Sequence, residues 1–329
     1  MEERYDENVY NYIMSTGRFD ANEGLFMAKE LEKIKTKSYD VLYPEFTATK
    51  NIPVSTDAGP GAETIAYFQY DSVGVAKIIS NYGTDTPRID LVGKKFTSDI
   101  KGVGDSYGYS IQDVRAAIMA GKPLEQRKAN AARKAIDQEI NRIAYFGDAA
   151  NGLNGLFTHP NITTYVLPQD GTLNGVTAST AAAAKFVNKT PDQIIRDLNG
   201  MIDGIVSLTK GVERPDTLLI PHKQYGDLTS RPRSTTSDTT ILAFFLANNP
   251  YIKNVEVVPE AQGAGTTIAG SDLMIMYKKD PDKLTLEIPQ MFEQFPPQLE
   301  GLETVVICHA RCGGVIIYYP LSIIKAEGI

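Results

Sequence analysis

The chain has 329 residues, 42% of them hydrophobic, and a formal net charge of −7. That is enough apolar material for one large domain or two linked ones, and it argues against wholesale disorder. The acidic balance argues against nucleic-acid binding through bulk electrostatics. The longest apolar run, Ile241 to Ala247, is too short to span a bilayer, so no membrane is expected. Met1 is followed by Glu2 and Glu3 and the chain has two cysteines, which points to synthesis in a reducing cytoplasm without a secretory leader.

The first 49 residues read as an N-terminal arm, with a short helix expected at Leu25 to Ile34 and a short strand at Tyr39 to Tyr43. Such a segment cannot close a core of its own and is expected to pack on something else. Ile52 to Gly61 is a turn-rich hinge. Thr64 to Tyr70 and Val73 to Ser80 alternate as strands, Tyr82 to Lys95 carries Gly83, Pro87 and Gly93, and Phe96 to Val103 is extended again. Glu63 to Val103 therefore reads as a β-rich excursion, out and back, whose use is to reach a partner. Ser110 to Ala120 is a short helix, with Ser110 as its N-cap and Asp113 three residues on.

The stretch from Gly121 to Gly155 organises the chain. Pro123 suits a first helical turn, and Leu124, Ala132, Ile136, Ile140 and Ile143 recur at helical spacing with Ala131, Ala135 and Ala144 beside them. Gly147 stops the helix, and the chain turns between Asp148 and Gly155. A helix over 123–146 would be roughly 36 Å long. Its thin, alanine-rich stripe suits a strut laid against a sheet. The other face carries Arg127, Lys128, Arg133, Lys134, Asp137 and Arg142, with Arg133 and Asp137 at i,i+4 spacing. Its ordinary reading is a solvated face; the functional alternatives are salt bridges to a neighbouring subunit or weak contact with an enclosed polyanion.

Residues 158–188 carry no pattern that places them. Thr190-Pro191-Asp192-Gln193 is a helix start, followed by a core face of Ile194, Leu198, Ile202, Ile205 and Leu208, with Gly211 at the end. Thr217 to Ile220 is a buried strand, and Asp238 is expected to cap a helix over Ile241 to Ala247. Strands are expected at Val255 to Val258, Leu273 to Tyr277, Leu284 to Ile288, Thr304 to Ala310, Val315 to Tyr319 and Leu321 to Lys325. Helices and strands interleave here, which makes this half α/β or α+β.

The sharpest catalytic pattern is Gly104-Asp105-Ser106-Tyr107-Gly108, a match to G-x-S-x-G, with His159, His222 and His309 downstream as triad candidates. The motif needs a strand-to-helix turn directly behind the serine, whereas the next helix starts about four residues later. The structural alternative is a bend between an extended segment and a helix. Gly102, Gly104 and Gly108 have the wrong spacing for a phosphate loop. Cys308 and Cys312 share one face of a strand while His309 points to the other, so a buried cysteine pair is expected and no metal centre. Asp85, Asp90, Asp99 and Asp105 read as solvated acids on extended segments. No catalytic, cofactor-binding or metal residue is assigned.

The order of these parts carries a resemblance. The echoes are Tyr39 to Gly61 (YDVLYPEFTATKNIPVSTDAGPG), Gly104 to Phe146, Gly147 to Leu156, and Arg311 to Pro320. In that order and spacing the chain resembles the major capsid proteins of tailed bacteriophages with the Hong Kong 97-like fold. The resemblance implies an α+β fold with an N-terminal arm (1–49), a hinge and extended loop (50–103) and a peripheral domain with its spine helix (104–190, helix 123–146). It further implies an axial domain (191–297) and return strands to the peripheral domain (298–329). The implied function is structural and non-enzymatic: hexamers and pentamers of an icosahedral head that encloses double-stranded DNA without sequence-specific binding. Scaffolding, portal and decoration proteins are the implied partners, and the virion is the implied location. Some relatives join a loop lysine to a neighbour's asparagine. Lys77, Lys94, Lys95 and Lys101 lie in or near the loop here, and no linkage is assigned to them. The alternatives are an encapsulin-like compartment shell and a serine hydrolase using Ser106.

Overall fold

The computed structural model describes residues 46–73, 90–120, 124–177, 180–234, 236 and 238–329. The expected helix at Leu25 to Ile34, the strand at Tyr39 to Tyr43, nearly all of the strand at Val73 to Ser80, Lys77, Asp85 and Pro123 lie outside the described residues. In chain order the elements are α1 (Ala48–Asn51), β1 (Val54–Ser55), β2 (Thr64–Val73), β3 (Asp90–Asp99), β4 (Lys101–Ser110), α2 (Ile111–Ala120) and α3 (Leu124–Phe146). Next come β5 (Thr163–Tyr165), β6 (Thr172–Leu173), β7 (Val176–Thr177), α4 (Pro191–Leu208), β8 (Thr217–Ile220), α5 (His222–Ser230), α6 (Ile241–Asn248) and β9 (Asn254–Val257). The last are β10 (Leu273–Tyr277), β11 (Leu284–Glu287), β12 (Gln290–Gln294), β13 (Gln298–Glu300), β14 (Glu303–Cys312), β15 (Gly314–Ile317) and β16 (Ile323–Glu327).

The strut forms as its stripe requires. Ala132, Ile136, Ile140, Ile143 and Ala144 are all buried on α3. Burying each isoleucine is worth about 1.5–3 kcal/mol. Their core also takes in Tyr145, Phe157, Val306, Cys308 and Ala310, so the helix lies on the inner face of β14. Two glycines make its exit possible. Gly147 has φ +69°, the left-handed region, and a Cβ on Gly155 would lie 2.5 Å from the Phe146 carbonyl carbon. The crossing lets Leu156 and Phe157 donate backbone hydrogen bonds to Ala144 and Tyr145, at 2.8 Å each. Phe157 then stacks on Tyr145 with ring centroids 4.9 Å apart.

β14 is the hub of one sheet. All ten of its residues pair antiparallel with β4, from Glu303 opposite Ser110 to Cys312 opposite Lys101, and its other edge carries β12 and β13. This corrects the expected bend at Gly104 to Gly108, which is uninterrupted strand. The glycines there make room for side chains from β14: a Cβ on Gly102 would sit 2.8 Å from His309 Nε2, and one on Gly108 would overlap the Glu303 carboxylate. The break falls one element earlier, at the buried Ile100 between β3 and β4.

A five-stranded sheet runs β5–β16–β10–β8–β9 and carries the second core. β8, β10 and β16 are buried on both faces, which explains the apolar runs over 218–220 and Leu273–Tyr277; β16 also buries Lys325 and Glu327, which pair with each other at 3.1 Å. Here α4 contributes Ile194, Leu198, Met201, Ile202 and Ile205. Its start carries the expected capping box: Thr190 Oγ1 accepts from Gln193 N and the Gln193 side chain accepts from Thr190 N. β16 was expected to return to the strut's half. It pairs instead between β5 and β10, which satisfy the backbone groups along both of its edges. β14 and β15 do return, to β4 and to β11.

Smaller differences have local causes. Thr240, not Asp238, caps α6, since its hydroxyl accepts from Ala243 N at 3.3 Å. Helix α5 follows β8 directly behind Pro221 and has too little apolar periodicity to be read from sequence. The unassigned stretch 158–188 holds β5, the β6–β7 hairpin and short 3-10 turns.

Candidate functional site

The surfaces that one subunit leaves open are the features with functional content. The clearest is the ribbon of β2 and β3. Ten residue pairs hold it, from Thr64 opposite Asp99 to Val73 opposite Asp90, and no third strand joins it among the described residues. Its length is about 33 Å. The base is fixed: Ile100 N donates to Glu63 O at 2.8 Å, and Tyr67 meets Tyr318 edge-on at 4.9 Å while stacking on Phe96. Farther out, Phe68 is 59% exposed, Tyr70 67% and Leu91 66%. A two-stranded ribbon is marginal by itself, and its free edges and aromatic face are what a further strand or surface would cover.

The second feature is the clamp on the entering chain at Thr47 to Asn51. Asn141 of α3 accepts from Ala48 N at 3.0 Å and donates to Glu260 Oε1 at 2.5 Å. The Tyr145 hydroxyl shares hydrogen bonds with Thr47 Oγ1 at 2.8 Å and Asn51 Nδ2 at 3.0 Å, and Tyr277 donates to Asn51 O at 2.6 Å. Burial pushes the Tyr145 phenol up to about 12, so it stays a neutral donor. These polar side chains interrupt the apolar stripe of the strut and fix where residues 46–55 cross it.

Ser106 is not a nucleophile elbow. It sits mid-strand opposite Ile307, and its own N–H is taken by Asp105 Oδ1 at 2.8 Å. His309 faces Gly104 across the ladder and covers Gly102. His159 is buried, which lowers its pKa, and its Nδ1 accepts from Asn161 N at 3.3 Å. His222 opens α5. The three histidines therefore do not converge with Ser106 on an acid–base site. Cys308 and Cys312 are free and buried on one face of β14, as their spacing implies, and burial raises the Cys312 thiol to about 11. Among the described residues no group of three or more His, Cys, Asp or Glu side chains is placed to hold a metal ion. A cleft of about 970 Å³ beside the ribbon base is lined by tyrosines, Asp57, Asp280 and Asp282, with no histidine or cysteine.

The basic face of the strut is only partly a solvated face. Lys128 Nζ donates to Gly108 O at 2.5 Å and ties α3 to β4. Arg133 lies 3.9 Å from Asp137, as the i,i+4 spacing implies, and 5.9 Å from the Phe292 ring. No helix among the described residues is long and apolar enough to cross a membrane.

A ribbon, a long strut on a β hub and a separate α/β half define an α+β fold of the Hong Kong 97-like capsid type. Solved capsids share it. The chain aligns with the capsid of the Myoviridae phage XM1 at TM-score 0.78 and 16% identity, over 93% of this chain and 100% of that one. It aligns with the capsid of a native GTA particle at 0.60 and 11%, over 93% and 97%, and with a chain of Mycobacterium phage Ogopogo at 0.59 and 11%, over 90% and 96%. No curated protein sequence matches the chain. The sequence model of the major capsid protein family matches residues 74–329, and the chain belongs to that family. It is a structural subunit of a phage capsid, homo-oligomeric and located in the virion; neither the hydrolase nor the compartment reading is favoured.

Proposed function

We propose that the chain builds the hexamers and pentamers of an icosahedral head around double-stranded DNA, and that it does no catalysis. The division in this reading is an arm over 1–49, an extended loop over 50–103, a peripheral domain over 104–190, an axial domain over 191–297 and return strands over 298–329. Sheet pairing supports three adjustments to this reading: the loop's base at Ile100, β11 and β12 with the strut's half, and β16 with the axial half. The DNA is held by enclosure, without base readout, which accords with the net charge of −7. Synthesis is in the bacterial cytoplasm, and scaffolding, portal and decoration proteins are the candidate heterologous partners.

The observation that carries this reading is the ribbon. Its aromatic face and both free edges become stable when laid on a neighbouring subunit, so assembly completes the fold. Many weak contacts of that kind sum to a closed shell. The test is electron microscopy with light scattering on the recombinant chain and on a Phe68→Asp, Tyr70→Asp variant. Both side chains are exposed, so the variant is expected to keep its circular dichroism and to lose closed shells. Normal shells from the variant would remove the ribbon from the assembly contacts, and a parent chain that stays monomeric over a range of salt and crowding would remove the shell reading.

A further inference from the structure

A polar cavity of about 170 Å³ lies under one face of α5, in the half that carries the five-stranded sheet. Its walls include Lys223, Gln224 and Asp227 of α5, Lys185 from the turns before α4, and Ser271 and Asp272 from the loop before β10. Gln224 is only 3% exposed, and its amide can stand only one way. Its Nε2 donates to Asp272 Oδ2 at 2.6 Å and to Ile329 O at 3.2 Å, and both are acceptors, so Oε1 must be the atom turned away from them. That oxygen is buried, and no donor among the described residues reaches it. Ser271 Oγ, on another wall, is buried and unpartnered as well. Buried polar atoms are ordinarily satisfied, so two orphans around one cavity point to an occupant that donates hydrogen bonds.

The charges around the cavity are also uncommitted. Lys223 and Asp227 stand at i,i+4, the spacing at which opposite charges can close on a helix. Here they make no ion pair, and Lys185 makes none either among the described residues. Lys185 and Lys223 are exposed and mark the rim, whereas Asp227 is half-buried. The first turn of α5 has no side-chain cap and no acidic residue, so the positive end of the helix is uncompensated beside Lys223 and Gln224. The cavity thus offers acceptors inside and positive charge at its mouth.

We propose that this cavity binds a small zwitterion of amino-acid type, with a primary ammonium and a carboxylate on a short linker. An ammonium carries three donors, which match Gln224 Oε1, the Asp227 carboxylate and Ser271 Oγ. The carboxylate lies at the mouth, against Lys185, Lys223 and the start of α5. A metal ion suits the site less well: Asp272 already accepts from Gln224 and, at 3.0 Å, from Gly263 N, which leaves Asp227 as the one uncommitted carboxylate on the walls. The inference does not depend on the shell reading.

The test is isothermal titration calorimetry of β-alanine into the full chain, with ethylammonium and propanoate as analogues that each lack one of its charged groups. β-Alanine is expected to bind once per chain and to raise the thermal midpoint, because a ligand held only by the folded state stabilises it. Ethylammonium is expected to bind about tenfold more weakly, and propanoate not measurably. Asp227→Asn removes a charge without a protein partner, so the thermal midpoint of the unliganded chain is expected to hold while the affinity for β-alanine falls at least about tenfold. Lys223→Ala is expected to weaken β-alanine and leave ethylammonium unchanged. Equal binding of all three compounds, or undiminished binding by Asp227→Asn, would mean an adventitious additive only and overturn the proposal. No binding of β-alanine would overturn it as well, and leave a cavity that water fills.

Discussion

Lys189 and Asp197 form an ion pair whose side chains are both fully buried. The two ends are not equally supported. Asp197 also accepts from Arg196, at 3.0 Å to Nε and 2.6 Å to the terminal nitrogen, and Arg196 reaches out to Asp170 at 2.5 Å. Among the described residues the Lys189 ammonium has no second carboxylate, although its backbone carbonyl accepts from Arg231 at 2.6 Å. Lys189→Met therefore leaves a carboxylate that Arg196 still neutralises. The expected loss is about 1–3 kcal/mol, mainly desolvation of an acceptor with fewer hydrogen bonds. Asp197→Leu leaves an ammonium buried and unpaired, at about 3–5 kcal/mol. The double variant Lys189→Met, Asp197→Leu removes both charges and is expected to cost less than Asp197→Leu alone. Urea unfolding of the purified chain, followed by circular dichroism, measures all three. Equal costs for the two single variants, or a larger cost for Lys189→Met, would refute the argument that Arg196 makes the pair asymmetric.

Two further predictions concern the turn behind the strut and the acid response. Gly155→Ala is expected to cost about 1–3 kcal/mol or more, because its Cβ would meet backbone atoms of residues 145–147 that have no rotamer to yield; a change within ~0.5 kcal/mol of the parent in the same unfolding assay would show that the crossing is loose. Glu327 sits at the end of β16, where burial alone would raise its pKa. Hydrogen bonds from Ile268 N, the Lys325 ammonium, the Thr266 hydroxyl and Thr267 N outweigh that and bring it from 4.5 to about 2. A depressed carboxylate stabilises above its unfolded pKa and loses that contribution as pH falls through the folded value. The thermal-midpoint gap between the parent and Glu327→Gln is thus expected to be full above pH 4.5 and to shrink towards pH 2; a gap that stays constant across that window would contradict the assignment.

Some of this protein was legible because the deciding interactions are short-range. The capping boxes at Ser110 and Thr190 involve residues three apart. The buried stripe of the strut follows from a 3.6-residue period, and the alternate faces of Cys308, His309 and Cys312 from a period of two. The sequence also marked Glu63 to Val103 as a β-rich excursion, out and back, and β2 and β3 lie within it. That much set a strut, a reaching β excursion and an α/β half, and their order pointed to the family.

Tertiary structure decided what depended on a distant partner. Whether Gly104-Asp105-Ser106-Tyr107-Gly108 bends or runs straight is undetermined locally, since glycine tolerates both; β14, some two hundred residues on, supplies the ladder and the side chains that need the space. The sheet that β16 joins was equally invisible, because its partners β5 and β10 are distant in sequence and its Lys325 and Glu327, which read as surface charges, are buried. The buried Lys189–Asp197 pair reads in sequence as two ordinary surface charges. The exposure of α2 was hidden for the converse reason: its apolar spacing matches that of a core helix, and only the fold shows that Ile118 and Met119 stay exposed among the described residues.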